Sequence, residues 1–401
     1  MLRTARTGLG RPFWLAWWAT TGSSLGDGLR TVAFPLIAAS ITRNPGAIAI
    51  VSAAGFLPWP LFGLLGGAVV DRTDRRRLMW RTDVLRALLV GGFAVLVAGG
   101  SASIAALATV SFLLGVAETF FDNAASAIVP MLVADPEIER ANSWILSTQT
   151  VMATMLGAPI GGALFALAHW APPVSDALTF AFAALLVGLI GGSYHPRKGP
   201  AGRTSIAQDI ATGLRWLFGH PLLRMLAVLL AVLNGTFAAA EAVLVLYSLE
   251  VLHLATVGYG LLLTLVAVGG LAGSVLAPRA VRLVGRRALL IGVGVVQPGM
   301  LLLVGLSSSR VVMVLAMLLT GIATMGWNVV TISLRQRIVP AELLGRVTSA
   351  YRMLGLGAMP VGALLAGLLA KGYGLHAPYL VAGLVGLAAT AGCAPFLRLP
   401  D

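Results

Sequence analysis

Asp27, Glu118, Asp122 and Glu241 each stand inside a long apolar run. A charge in such a setting survives only when paired or hydrated, so it marks a path for ions, protons or polar cargo. Asp27 and Arg30 lie in Gly26-Asp27-Gly28-Leu29-Arg30, three residues apart and therefore on one helix face. They either neutralise each other as a structural pair or bind a substrate or a proton. Glu118 and Asp122 are four residues apart in Glu118-Thr119-Phe120-Phe121-Asp122-Asn123, which again puts both carboxylates on one face. Two such groups in a low dielectric cannot both ionise cheaply, so one becomes a proton carrier. The alternative is a hydrated structural pair bonded to Asn123, and Glu118 is the deeper of the two. Glu241 is the one deep acid of the second half, a partner for a buried cation or a cationic substrate. Asn328 beside Trp327 offers a polar handle next to an aromatic wall. Arg86 and Arg352 are expected to snorkel to the surface rather than act as counter-charges, each being within about two turns of a span end.

The elements that hold these residues follow from composition. Of 401 residues, 58% are hydrophobic and 11% charged, against roughly a quarter charged in a soluble domain. A bilayer crossing needs about 20 mostly apolar residues. That rule predicts an all-α membrane protein of twelve transmembrane helices, near 13–40, 46–70, 82–99, 103–129, 142–168, 174–194, 222–247, 257–277, 288–307, 311–334, 347–370 and 376–397. The first apolar run is too long, and lacks a clear cleavage site, for a signal peptide. The single cysteine, Cys393, excludes an intrachain disulfide.

The net charge of +13 invites a nucleic-acid reading, but the distribution of charge argues against one. With the N-terminus inside and spans alternating, only Arg43, Arg310 and Lys371 fall outside, and Arg30, Arg86 and Arg352 fall within spans. All other basic residues face inward. This sets both termini on the cytoplasmic side of a cell membrane and turns the positive charge toward anionic lipid. Residues 195–220 form a breaker-rich linker followed by an amphipathic stretch with Ile206, Ile210, Leu214 and Leu217 at helical spacing. It separates an N-terminal bundle, 1–194, from a C-terminal bundle, 221–401. The halves echo each other. Glu139-Arg140-Ala141-Asn142-Ser143 opens the fifth span and Gly345-Arg346-Val347-Thr348-Ser349 the eleventh. Gly157-Ala158-Pro159-Ile160-Gly161-Gly162 has a looser counterpart in Gly357-Ala358-Met359-Pro360-Val361-Gly362. Two pseudo-symmetric six-helix bundles are the layout of alternating-access carriers with a midplane site.

Between the second and third spans lies Gly67-Ala68-Val69-Val70-Asp71-Arg72-Thr73-Asp74-Arg75-Arg76. Gly67 permits close helix approach, and Asp71 pairs with arginines or caps a helix N-terminus. At its plainest the loop only fixes topology. Its order, however, resembles the signature loop of the major facilitator superfamily, with Asp74 where that family usually has glycine. The resemblance implies a gating role for Gly67, Asp71, Arg72, Arg75 and Arg76, latching the two halves in one state. Gly157, Pro159, Gly161 and Gly162 loosely resemble the superfamily's antiporter motif and read physically as a hinge with close helix contact. Ser111 stands where the superfamily's fourth helix carries arginine, which weakens a borrowed proton relay. Gly26-Asp27-Gly28-Leu29-Arg30, Phe120-Phe121-Asp122-Asn123-Ala124-Ala125-Ser126 and Arg335-Gln336-Arg337-Ile338-Val339-Pro340 resemble the drug-exporter branch that includes macrolide and enterobactin efflux proteins.

These readings converge on a secondary transporter that exports hydrophobic or amphipathic small molecules in exchange for protons. The alternatives are an importer or lipid flippase on the same fold, or a non-transporting membrane sensor. The resemblance places Asp27, Glu118, Glu241, Trp327 and Asn328 around one cavity. The expected partners are a small-molecule substrate, protons and membrane lipid, with no nucleic acid, and the chain is expected to act as a monomer. The five histidines form no ligand spacing, so no metal is expected. No phosphate-cradling loop and no nucleophile–base arrangement appear, which excludes a nucleotide cofactor and an enzyme.

Overall fold

The computed structural model describes residues 9–70, 72–195, 206–340 and 342–397. The described residues are helical throughout, with no strand among them. The helices are α1 (Arg11–Ile41), α2 (Pro45–Phe56), α3 (Pro58–Val70), α4 (Arg75–Ala98), α5 (Ile104–Leu132), α6 (Ile138–Gln149), α7 (Ala158–Leu167), α8 (Ala171–Leu189), α9 (Ile206–Gly219), α10 (Pro221–Leu246), α11 (Thr256–Leu306), α12 (Arg310–Ile338), α13 (Leu344–Tyr373) and α14 (Ala377–Cys393). Nine segments among the described residues are long and apolar enough to cross a membrane. Large apolar side chains also cover the outside: Leu88 is 69% exposed and Leu167 82%. Water would penalise that surface, whereas lipid does not.

Capping residues start several helices. Asn44, Asp74 and Ser103 accept backbone N–H bonds from Gly46, Arg77 and Ala106. Gly285 ends a run of helix inside α11, with φ 82° and ψ 163°, a conformation open only to glycine. Further along α11, Pro298 cannot donate to the carbonyl of Gly294, and the Thr390 hydroxyl donates to it instead at 2.6 Å.

The chain divides into two compact units. One holds residues 1–34 and 61–202, the other 35–60 and 203–401. Residues 35–60 belong to the second unit because α2 packs on α13. Ala49 and Ala53 share a buried cluster with Ala242 and Ala363, and a Cβ at Gly367 would collide with Ala49. The amphipathic helix α9 also joins the second unit. It buries Leu217 completely and brings Gly213 against the Arg346 backbone at the start of α13.

Close backbone approach organises each unit in the same way. In the first, Gly28 meets the Ala153 carbonyl, and Gly157 and Gly161 meet the backbone of Leu25 to Leu29. In the second, Gly362 meets the Gly235 carbonyl. Only a residue without a side chain fits such contacts. Residues Thr150–Gly157 form a π-helical turn just before Pro159, so the segment read as a hinge is a local change of helical register.

Candidate functional site

Two polar sites stand out, one in each unit. In the first unit, α1 presents Asp27 and Arg30 on one face, 2.8 Å apart. Arg30 also donates to Glu118 of α5 at 3.0 Å. One guanidinium thus bridges two carboxylates, each about a quarter exposed. Behind them α4 carries a second aspartate–arginine pair with the same spacing, Asp83 and Arg86, 3.6 Å apart and essentially without exposure. The Arg86 guanidinium lies 4.7 Å from the Phe121 ring and 5.2 Å from the Phe180 ring, so aromatic faces replace part of its lost hydration. Asp176 of α8 is fully buried, and neither of its carboxylate oxygens has a hydrogen-bond partner among the described residues. A Cβ on Gly26 would collide with Asp176 Oδ1 and Thr179 Oγ1. The glycine therefore admits the Asp176 carboxylate against the backbone of α1.

The structure corrects several expectations here. Arg86 does not snorkel: it is 1% exposed. Glu118 pairs with Arg30 across helices. Asn123 donates to the Thr119 carbonyl at 2.7 Å. Asp83 and Asp176 were not anticipated as site residues. Asp83 repeats the Asp-x-x-Arg spacing of Asp27 and Arg30, which is the one signal that pointed to it.

The loop after α3 is built differently from its expected form. Asp71 lies outside the described residues. A side chain at Gly67 would meet nothing within 4 Å, and it is Gly66 that abuts α5, with Asn123 Nδ2 2.9 Å from a Cβ placed there. Arg72 is exposed. Arg75 donates to the Ala127 carbonyl at 3.1 Å, near the end of α5. Arg76 donates to the Val187 and Gly188 carbonyls at the end of α8. Both arginines thus place positive charge near the C-terminal ends of α5 and α8. Asp74, the departure from the signature, caps α4 and also accepts from the Ser193 hydroxyl at 2.9 Å and the Tyr194 N–H at 2.8 Å. Burial opposes ionisation of Asp74, but the N–H groups of Arg77 and Tyr194 and the Ser193 hydroxyl outweigh it and hold the carboxyl below its ordinary range.

In the second unit, α10, α11, α12 and α13 enclose a cavity of about 870 Å³. Trp327 and Asn328 both line it, together with Arg335, Arg352 and Gln297. Glu241 is not part of its wall. It sits on α10 within electrostatic reach of Tyr259, without an ion pair among the described residues.

An all-helical, multi-pass chain with a charge network inside one unit and a walled cavity inside the other has the architecture of a membrane carrier. The transmembrane secretion effector model matches residues 10–401, and the chain belongs to that family of major facilitator transporters. It is 28% identical over 391 residues to the multidrug efflux pump Tap of Mycobacterium tuberculosis (strain ATCC 25618 / H37Rv), covering 93% of this chain and 90% of that one. An uncharacterized MFS-type transporter of Bacillus subtilis (strain 168), YvqJ, is 23% identical over 374 residues, covering 90% and 86%. Among solved structures, the nucleoside transporter NupG superposes with a TM-score of 0.78 at 12% identity, covering 98% of this chain and all of that one. A bacterial homologue of the iron transporter ferroportin, inward-facing, gives 0.70 at 19%, covering 96% and 98%. These likenesses establish the fold.

Proposed function

We propose that the protein is a proton-coupled exporter of amphipathic small molecules, working by alternating access in the cell membrane with both termini cytoplasmic. Twelve crossings accommodate the chain. The nine apolar segments are joined by α1 and α4, whose apolar stretches are interrupted by charge, and α11 supplies two crossings on either side of Gly285. The bundles 1–194 and 221–401 are the two repeats, joined by the linker 195–220. Similarity to a multidrug efflux pump supports the export reading.

The observation that carries proton coupling is the charge imbalance of the first unit. Four carboxylates, Asp27, Asp83, Glu118 and Asp176, share two guanidinium groups, Arg30 and Arg86. Two cations cannot neutralise four anions in a low dielectric, so protons make up the balance. Asp176 and Asp83, buried and without hydrogen-bond partners, are the carriers this favours. Asp27 and Glu118, partly exposed, exchange protons and polar groups with the aqueous side. Asp122 and Asn123 are assigned to the same path, and Glu241 to substrate or proton binding in the second unit. Gly67, Asp71, Arg72, Arg75 and Arg76 form the gate, and Gly157, Pro159, Gly161 and Gly162 the hinge.

The test is transport in proteoliposomes under an imposed pH gradient, with a panel of drugs and siderophores. Uphill movement that collapses with a protonophore is expected. Asp176→Asn should lose gradient-driven transport while retaining downhill exchange. Transport indifferent to the gradient would exclude proton coupling. Accumulation in right-side-out and not inside-out vesicles would reverse the direction.

A further inference from the structure

The cavity of the second unit has a one-sided chemistry. Phe237, Met325 and Met359 give it an apolar wall. Its polar lining is made of amides, hydroxyls, the Trp327 indole and two guanidinium groups, Arg335 and Arg352. Among the described residues that line it there is no carboxylate. At one end three donor atoms are buried without a hydrogen-bond partner among the described residues: Trp327 Nε1, an Nη of Arg335 and the Tyr351 hydroxyl. The Tyr351 hydroxyl is within reach of Trp327, Thr331 and Arg335, so the donors at this end lean on one shared oxygen in loose geometry. Arg335 is 7% exposed, with its guanidinium 4.1 Å from the centre of the Tyr351 ring. Arg352 is close enough to repel it.

A buried donor left unpaired is costly, and more so when it is charged. Donors that share one hydroxyl oxygen, with Arg352 repelling Arg335 beside them, form a site short of acceptors and of negative charge. We propose that this end of the cavity seats the acceptor-bearing head group of an amphipathic cargo, a carboxylate before a neutral carbonyl. The apolar body of that cargo lies along Phe237, Met325 and Met359. A carboxylate satisfies the Arg335 fork, accepts from the Trp327 N–H and the Tyr351 hydroxyl, and relieves the repulsion from Arg352. An ammonium head finds no counter-charge in this wall. The assignment takes its transport meaning from the exporter reading, but binding itself needs no gradient, so the two fail separately.

The experiment is calorimetric titration of the full-length protein in phosphatidylcholine nanodiscs with naphthylacetate, naphthylacetamide and naphthylethylammonium, which share one ring system. The expected order is acetate tightest, then amide, with the ammonium at least about tenfold weaker than the acetate. Arg335→Gln should remove that preference without changing ammonium binding, and Arg335→Lys should restore part of it. Arg352 is exposed and lines the cavity, so Arg352→Gln is expected to fold and to weaken acetate selectively. Melting temperature and elution profile report folding for each variant. Equal binding of the three probes, preference for the ammonium, no binding at all, or a preference that survives both glutamine variants would each overturn the proposal. Adding phosphatidylglycerol to the nanodisc separates two sources of the same chemistry. Competition with naphthylacetate assigns the seat to a lipid head group, and its absence to a soluble cargo.

Discussion

At the residue scale, the first unit depends on Arg30 more than on either of its partners. Removing one member of a partly buried ion pair strands the other, at about 3–5 kcal/mol for a buried pair. Arg30→Gln strands Asp27 and Glu118 together, whereas Asp27→Asn leaves the Arg30–Glu118 contact intact. Thermal melting of the purified protein should therefore show a much larger loss for Arg30→Gln than for Asp27→Asn. Asp74 gives a second prediction, this one in pH. Its carboxyl titrates lower in the folded chain than in the unfolded one. Its contribution is complete above the ordinary carboxylate range and is lost as pH falls through the folded value. Melting temperature measured downward from pH 7 should decline toward acid in the wild type. Asp74→Ala should be destabilised by about 1–2 kcal/mol at neutral pH through loss of the cap and should lack this component of the decline.

What the sequence disclosed at this scale was decided by depth. Asp27 and Glu118 sit well inside apolar runs, and their charges were conspicuous. Asp83 follows five arginines between positions 72 and 81 in a polar stretch, and Asp176 follows Pro172-Pro173. Both therefore read as span ends. Their burial depends on α4 and α8 packing against α1 and α5, a tertiary fact with no local signature. Arg86 was misjudged for the same reason, because proximity to a helix end does not reveal that Phe121 and Phe180 enclose it.

At the element scale, the glycine contacts are the recurring device. The echo between Gly157-Ala158-Pro159 and its later counterpart was legible, and in both units it falls where helices touch backbone to backbone. Which glycine makes the contact was less legible, as Gly66 and Gly67 illustrate, since adjacent positions on a helix point about 100° apart. Gly161→Leu and Gly362→Leu are each expected to force the paired helices apart. The cost should be about 1–3 kcal/mol or more from overpacking. Gly67→Leu, which meets nothing within 4 Å, should be neutral in the same melting assay.

At the scale of the whole molecule, the first unit gathers four carboxylates around two guanidinium groups, whereas the cavity of the second is lined by two guanidinium groups with no carboxylate among its described residues. The proton reading predicts that Asp176→Asn flattens the pH dependence of transport while leaving naphthylacetate affinity unchanged. Arg335→Gln should do the reverse. Paired transport and calorimetry on the two variants would check this. The apolar outer surface and the all-helical, membrane-crossing character were plain from hydropathy. The assignment of residues 35–60 to the second unit was not, because it arises from alanine and glycine contacts between α2 and α13 rather than from any composition shift.

The separation has an evolutionary corollary. If the protein works as proposed, substitutions in the wall around Trp327 and Arg335 would retune cargo without disturbing the energy supply. A lineage under changing toxins would then swap selectivity while its engine stayed untouched.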